Sequence, residues 1–206
     1  MPQRTCADVL RLAMWSGPRN VSTAFMRSWG NREDTLVVDE PFYAHYLDYT
    51  GLDHPGREWL GSMTHAFLIR DPRPMLASLG EKLDEFDLLA TGLPQQVEIF
   101  DHVVRTHGHV PPVVDAADLL AAPEALLRAL CTALDVPFTP RMLSWPAGPR
   151  ATDGVWATHW YDRVERSTGF EPQSERAAGE LAGRLAEIEA LCRPMYDKLR
   201  EHRLRA

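Results

Sequence analysis

A stretch near the N-terminus combines the residue types that bind a phosphoryl or sulfuryl group. We call it the phosphate loop, and its residues are Ser16, Gly17, Pro18, Arg19, Asn20, Val21, Ser22 and Thr23. Gly17 and Pro18 end an apolar run and helical spacing follows them, so we predict a tight turn into a helix N-terminus. Backbone N–H groups converge there, and the helix dipole adds about half a positive charge. Arg19 adds a full charge and two hydroxyl groups follow, which favours an anion site over simple helix capping.

The phosphate loop is not a Walker A motif. That motif has the pattern G-x-x-x-x-G-K-[ST], in which a lysine reaches the β- and γ-phosphates. Here Val21 and Ser22 occupy the positions of the second glycine and the lysine. The sequence therefore disfavours ATP or GTP hydrolysis of the usual kind, and a kinase-like phosphotransferase is the weaker alternative.

A second cationic position follows another apolar run. Arg70 comes directly after residues 65–69, and Ser78 follows eight residues later on a predicted helix. An arginine grips a phosphate with two parallel hydrogen bonds, and a serine hydroxyl adds a third. The alternative for Arg70 is a structural ion pair with Asp71 or Asp115.

Short apolar runs alternate with helical stretches, which is typical of βαβ units and a parallel sheet. The predicted strands are residues 9–15, 35–39, 65–69 and 112–115, and the predicted helices are residues 21–29, 93–106, 123–134 and 174–199. Parallel strands end at one edge of a sheet, where ligands bind, so we expect the phosphate loop and Arg70 to face the same space. The predicted fold class is α/β, a three-layer α/β/α fold with a short parallel sheet, like a P-loop NTPase. We expect a single domain over residues 1–206, with the C-terminal helix (171–206) packed on it.

Together these two motifs resemble those of the sulfotransferase superfamily. In that family a first loop of the type P-[KR]-S-G-[ST]-[ST] holds the 5′-phosphosulfate of 3′-phosphoadenylyl sulfate (PAPS). A later strand gives an Arg and, eight residues on, a Ser for the 3′-phosphate. The resemblance covers most of residues 10–170 and is closest to a bacterial and fungal branch with Trp-Ser-Gly-Pro-Arg-Asn and Asp-Glu-Pro-Phe-Tyr segments. It implies that Arg19, Ser22 and Thr23 hold the 5′ side of PAPS, and that Arg70 and Ser78 hold its 3′-phosphate.

The resemblance also implies a reaction and a catalytic base. The protein would transfer the sulfuryl group of PAPS to a small molecule with a hydroxyl or amine acceptor. Arg19 would neutralise charge on the leaving oxygens, and Glu40, at the end of the predicted strand 35–39, would deprotonate the acceptor. An exposed glutamate is a weak base, so Glu40 is expected to be partly buried. His45 and His54 are the alternatives to Glu40, whereas Asp39 is expected to brace the loop.

The sequence departs from the family pattern at three places. Val21 stands where the family has a loop glycine. The family's C-terminal Arg-Lys-Gly phosphate motif has no match, and Arg150 is its candidate substitute. Related proteins carry an extra strand–helix segment between the second and third strands, whereas only nine residues separate Pro55 from His65. This last departure favours a noncatalytic nucleotide-binding module as the alternative function.

Bulk properties narrow the remaining function classes. The formal net charge of −7 argues against a general nucleic-acid binder, which needs a broad cationic surface. No apolar run approaches the roughly 18 residues that span a bilayer, so we predict a cytoplasmic protein without membrane contact.

His107 and His109 have no accompanying ligand cluster, so no metal site is predicted. The oligomeric state stays open. Trp156 and Trp160, in a stretch we call the Trp-rich loop (residues 144–173), either cover the adenine or anchor the loop.

Overall fold

The sheet has three parallel strands in the part of the chain that the structure describes. The structure is a computed structural model, and it describes residues 9–40, 57–171 and 179–206. The strands are β1 (Leu12–Ser16), β2 (Thr64–Ile69) and β3 (Val113–Asp115), in the order β1-β2-β3. Ser16 pairs with Leu68, and Ile69 pairs with Asp115. All three strands therefore end at the same edge of the sheet, which is the edge predicted to hold the ligand.

Helices connect and follow the strands. Within the described ranges they are α1 (Ser22–Gly30), α2 (Pro72–Gly80), α3 (Leu93–His107), α4 (Ala116–Ala121), α5 (Pro123–Ala133), α6 (Ala157–Trp160), α7 (Asp162–Arg166) and α8 (Arg184–Arg200). Short 3₁₀ helices span Arg57–Ser62, Leu89–Thr91 and Pro140–Leu143. Asp71, two residues after β2, caps the N-terminus of α2: its side chain accepts a hydrogen bond from the Arg73 N–H at 2.9 Å, and Pro72 occupies the first turn.

Helices cover both faces of the sheet. On one face α2, α3 and α8 pack on Phe67 and Ile69 of β2. On the other face α1, α4 and α5 pack on Ala66 and Leu68 of the same strand. Successive residues of a strand point to opposite faces, and all four of these side chains are fully buried, so β2 is the central strand. This arrangement confirms the predicted α/β fold with three layers.

The prediction of a strand over residues 35–39 is wrong. The segment has no regular secondary structure and pairs with no strand among the described residues. Leu36 is 85% exposed and Val38 is 69% exposed, whereas Val37 packs against the core around α1. A short apolar run predicts a buried strand only if both of its faces are covered, and here one face lies in solvent.

The C-terminal helix is shorter than predicted. α8 begins at Arg184, and residues 179–183 are not helical. Gly183, directly before α8, has φ 56°, a left-handed conformation that glycine adopts without steric cost. Pro194 lies inside α8. None of the described helices has both the length and the apolar character to cross a bilayer.

Candidate functional site

The phosphate loop joins β1 to α1 at the carboxyl edge of the sheet. Ser16 ends β1, and two later residues of the loop have positive φ although they are not glycine: Arg19 at 60° and Val21 at 58°. A left-handed backbone costs roughly 1–2 kcal/mol for a residue with a Cβ, and it is a rare conformation for a β-branched one. Val21 directly precedes α1, and no side chain of the described residues caps the N-terminus of that helix. The N–H groups of its first turn, where Ser22 and Thr23 lie, therefore lack a capping side chain, as an anion site requires.

The 3₁₀ helix Leu89–Thr91, remote in sequence, packs against the phosphate loop. A Cβ on Gly17 would lie 2.5 Å from the carbonyl oxygen of Thr91, so only glycine fits at this position. Gly92, which follows Thr91 and has φ 71°, packs against Gly17 and Pro18 as well. The sequence suggested a role for Gly17 but gave no signal that its partner is the 3₁₀ turn before α3.

Asn20 fixes the loop to the central strand. Its side chain is 3% exposed, and Nδ2 donates a hydrogen bond to the carbonyl oxygen of Leu68 at 3.2 Å. The buried Gln96 side chain of α3 donates to the same oxygen at 3.1 Å. The Asn20 Nδ2 group therefore positions the loop on β2.

The loop and the second cationic position meet at the sheet edge. Arg19 Nε donates a hydrogen bond to Ser78 Oγ of α2 at 2.8 Å, and Arg70 Nη1 donates to the carbonyl oxygen of Arg19. Arg70 follows β2 directly, so the strand end carries its guanidinium to the rim where the phosphate loop lies. The structure thus brings Arg19, Arg70 and Ser78 together, although the residues are up to 59 positions apart in sequence.

A cluster of like charges results from this arrangement. Burial, together with the guanidinium groups of Arg19 and Arg163, lowers the pKa of Arg70 to about 10. Burial also lowers the pKa of Arg19, an effect that Glu81 opposes and Arg163 reinforces. An anion bound among these guanidinium groups would relieve their repulsion. Sequence reasoning missed Arg163, which lies on the short helix α7 of the Trp-rich loop.

The carboxylates proposed as alternative partners of Arg70 are engaged elsewhere. Asp71 accepts hydrogen bonds from Arg193 of α8 at 2.7 Å and 3.0 Å. Asp115 accepts from the Tyr196 hydroxyl at 2.7 Å and from the Ala117 N–H at 2.8 Å. These contacts explain why neither carboxylate forms the ion pair with Arg70 that the sequence left open.

Glu40 lies at the end of the segment 35–40 and has φ 37°. The residue as a whole is exposed to solvent and not partly buried as expected. The protein atoms around its carboxyl group and the nearby Asp39 nevertheless raise its pKa to about 7. Among the described residues no hydrogen bond joins the Glu40 carboxyl to the phosphate loop. A carboxyl with this pKa is matched to proton transfer near neutral pH. The alternatives His45 and His54 lie outside the described residues.

Arg150 does not reach the phosphate loop. Its Nη1 lies 3.2 Å from the position of a Cβ on Gly30, which is the last residue of α1, whereas the loop precedes the first residue. A helix of nine residues is about 13 Å long, so the guanidinium belongs to the opposite end of α1. Burial, Arg27 and Asp153 set its electrostatic environment. This position argues against Arg150 as the replacement for the family's C-terminal motif, whereas Arg163 of the Trp-rich loop lowers the pKa of both Arg19 and Arg70.

Two tryptophans, Trp145 and Trp156, anchor the Trp-rich loop. Trp156 Nε1 donates a hydrogen bond to the Tyr161 hydroxyl at 3.2 Å, and Trp145 Nε1 donates to Ser167 Oγ at 3.2 Å. Trp145 also contacts Phe170 edge to face, with ring centroids 5.1 Å apart. These contacts support the anchoring role that the sequence left as one of two possibilities.

Comparison with known proteins agrees with this geometry. The family model for the sulfotransferase domain matches residues 10–62 and 56–182, which include the phosphate loop, Glu40, Arg70 and Ser78. Two proteins of Arabidopsis thaliana, branched-chain-amino-acid aminotransferase-like proteins 1 and 2, are 34% and 33% identical over 91% of this chain. The chain spans 41% of the length of each. The two alignments are 231 and 232 residues long, more than the 206 residues of this chain, so each relative has residues that this chain lacks.

A solved structure has the same fold. The sulfotransferase domain of the Synechococcus PCC 7002 olefin synthase superposes with a TM-score of 0.57, over 95% of this chain and 98% of that domain, at 14% identity. At this identity the likeness concerns the fold alone. The match of the family model extends over most of the sequence, however, and it includes the phosphate loop and the Arg70 motif. The chain therefore belongs to the sulfotransferase domain family.

Proposed function

We propose that this protein binds PAPS at the rim of the sheet and transfers its sulfuryl group to a hydroxyl or amine of a small molecule. In this proposal the N–H groups of the phosphate loop, with Arg19, Ser22 and Thr23, hold the 5′-phosphosulfate. Arg70 and Ser78 hold the 3′-phosphate, and Arg163 adds a third positive charge.

The chemical step is an in-line displacement at sulfur. The acceptor oxygen or nitrogen forms a bond to sulfur while the bond from sulfur to the bridging phosphate oxygen breaks. The electron pair of that bond stays with the leaving group, adenosine 3′,5′-bisphosphate. Glu40 takes the proton of the acceptor, and Arg19 neutralises the charge that develops on the leaving oxygens. Most of the rate gain then comes from alignment and charge neutralisation, as in phosphoryl transfer.

One set of contacts carries the proposal. Arg70 donates to the backbone of Arg19, and Arg19 donates to Ser78. The two predicted anion sites therefore share a rim of the sheet instead of lying on opposite faces. A ligand with phosphate groups at both ends of one nucleoside suits such a pair of sites, whereas a single free phosphate needs only one of them.

A noncatalytic nucleotide-binding module is the second candidate. The 3₁₀ helix Arg57–Ser62 leads straight into β2, and β2 pairs directly with β1. The described residues therefore contain no additional strand–helix segment before β2. A module of this kind would bind adenosine 3′,5′-bisphosphate but would not turn over PAPS.

Calorimetry with adenosine 3′,5′-bisphosphate, ATP and GTP tests the binding part of the proposal. We expect the bisphosphate to bind at least tenfold more tightly than either triphosphate, because only it has a 3′-phosphate for Arg70. A preference for ATP would contradict the proposal and favour a kinase-like phosphotransferase.

Transfer of ³⁵S-labelled sulfate from PAPS to a panel of alcohols, phenols and amines tests the catalytic part. Glu40→Gln should lower kcat by about 10²–10⁴ with little effect on donor affinity. Glu33→Gln is the matched control, because Glu33 carries the same charge and forms an ion pair with the exposed Arg141 at the surface. In the wild type kcat/KM should rise about tenfold per pH unit below pH 7 and level off above it, because the Glu40 carboxylate is the active form. Unchanged turnover in Glu40→Gln would exclude Glu40 as the base.

A further inference from the structure

The segment that carries Glu40 is held by side chains instead of by a sheet. Residues 35–40 make no strand pairing with the described parts of the chain. Val37 packs against Gly30 at the end of α1, with Cγ2 3.1 Å from the position of a Cβ on that glycine. Leu36 and Val38 point into solvent. Within the described part of the chain, the contacts that place Glu40 therefore act through its neighbour Asp39.

Asp39 is fixed by the Trp-rich loop. The Tyr161 hydroxyl lies 2.8 Å and 2.7 Å from the two oxygens of the Asp39 carboxylate and donates to it, and the Gly154 N–H donates to Oδ2 at 2.9 Å. Tyr161 is 2% exposed, and its hydroxyl oxygen accepts a hydrogen bond from Trp156 Nε1. Three contacts of this length to one carboxylate form a specific link between the two segments.

The Trp-rich loop is itself tied to the helix that begins at the phosphate loop. Asp153, next to Gly154, forms an ion pair of 2.7 Å with Arg27 of α1, and both side chains are buried. The Arg150 N–H donates to the same Asp153 carboxylate at 2.7 Å. A buried pair is costly to break, because one partner is left charged in the interior. The Trp-rich loop is therefore held in place on α1, and it holds Asp39 in turn.

We propose that Asp39 is a positioning residue for Glu40, and that the Trp-rich loop sets the place of the base through the Asp39–Tyr161 and Asp39–Gly154 contacts. This inference rests on the proposed role of Glu40 in sulfuryl transfer. Glu40 follows Asp39 directly, so a shift of the Asp39 carboxylate moves the base with respect to the phosphate loop. A misplacement of about 1 Å can cost about 10²-fold in rate.

The same contacts affect the charge of Glu40. Of the residues that the structure describes, the titratable groups that face it are Asp39, on its own segment, and Tyr161, from the Trp-rich loop. The negative charge of Asp39 adds to the effect of burial in raising the pKa of Glu40. Removal of that charge should therefore lower the titration midpoint of Glu40 in addition to loosening its position.

Three variants separate the positioning role from a general structural role. Asp39→Asn removes the charge but keeps an acceptor, and Tyr161→Phe removes the contacts of the hydroxyl but keeps the charge. Glu33→Gln is the charge-matched control on the same stretch of chain. We expect Asp39→Asn and Tyr161→Phe to lower kcat by tenfold or more. The Kd of adenosine 3′,5′-bisphosphate should stay within about twofold in all three variants, because none of them alters the phosphate loop.

Two measurements do not need turnover. Carboxyl NMR, with Glu40→Gln to assign the signal, should show the Glu40 midpoint falling by about one unit or more in Asp39→Asn and unchanged in Glu33→Gln. Amide exchange at Gly154 should be at least tenfold faster in Tyr161→Phe than in the wild type. Wild-type values of the midpoint in Asp39→Asn, or of the exchange rate in Tyr161→Phe, would overturn the inference. If the wild type transfers no sulfuryl group, the proposed function fails, but these two measurements still decide whether the contacts position Glu40.

Discussion

The left-handed conformation of Val21 predicts an unusual response to substitution. At φ 58° a residue with a Cβ pays roughly 1–2 kcal/mol that glycine does not pay. At an ordinary helical position a glycine instead makes the protein about 1 kcal/mol less stable than an alanine does. Val21→Gly should therefore be more stable than Val21→Ala by about 1 kcal/mol, because both variants lose the same packing of the valine methyl groups and differ only at the backbone.

Val97 provides the matched control. It is also partly buried, but it lies inside α3, where φ is negative. There Val97→Ala should be more stable than Val97→Gly by about 1 kcal/mol. The stability order of the alanine and glycine variants thus reverses between the two sites. Comparing the two sites cancels most of the contribution of the side chain itself and of the unfolded chain.

Urea unfolding with a common m-value measures these differences, and thermal unfolding gives a second reading. For a chain of this length 1 kcal/mol corresponds to a Tm shift of about 2–4 °C. Val21→Gly should also bind adenosine 3′,5′-bisphosphate within about threefold of the wild type, because glycine keeps the loop conformation. If Val21→Ala is as stable as Val21→Gly or more stable, the conformation described for the loop is wrong.

Three further predictions concern the support, the charge and the pH response of the fold. Gly17→Ala should destabilise the protein by about 1–3 kcal/mol in urea unfolding, because the new Cβ would meet the carbonyl beneath the loop; Gly61→Ala, where nothing lies within 4 Å, should have little effect. Arg163→Ala should weaken bisphosphate binding by calorimetry about 3–10-fold, and more at low salt, whereas the exposed Arg128→Ala should not. Burial and neighbouring histidines lower the pKa of His65, so the unfolded state binds a proton that the folded state resists. Stability should therefore fall as the pH drops through about 6.5, and by less in His65→Gln than in the wild type.

Each of these predictions has a clear contrary result. Equal stability of Gly17→Ala and Gly61→Ala would mean that the loop does not rest on the turn before α3. Salt-independent and unchanged binding in Arg163→Ala would remove that residue from the site. An identical loss of stability between pH 7.5 and pH 5.5 in His65→Gln and the wild type would show that this imidazole does not control the acid response.

Local signals were enough to predict the elements that end at the site. Apolar runs bounded by Gly17 or by Asp71 and Pro72 identified β1 and β2, and parallel strands necessarily bring their carboxyl ends to one edge. That geometry alone predicted that Arg70 would meet the phosphate loop. The segment 35–39 has a similar apolar run but no strand partner in the described residues, and periodicity cannot distinguish these two cases.

Contacts across long sequence separations could not be predicted. Nothing in the sequence connects Gly17 with Thr91, because the requirement for glycine arises only when the two turns approach in space. Arg150 and Arg163 are equivalent in a composition argument, and only the path of the Trp-rich loop decides which one lies near Arg19. The same holds for Asp39. The sequence placed it at the end of a predicted strand, but its hydrogen-bond partners lie more than a hundred positions later in the chain.

The question that decides the function is whether Arg70 recognises a 3′-phosphate at the same rim as the phosphate loop. Calorimetry of the wild type and Arg70→Ala with adenosine 3′,5′-bisphosphate and adenosine 5′-monophosphate answers it. The wild type should prefer the bisphosphate by about 10–150-fold, the value of charge-assisted hydrogen bonds of about 1.5–3 kcal/mol. In Arg70→Ala that preference should nearly vanish, and the affinity for the monophosphate should fall by less, since Arg70 also donates to the Arg19 carbonyl of the phosphate loop. An equal loss for both nucleotides, or a preference that survives the substitution, would contradict two anion sites on one rim.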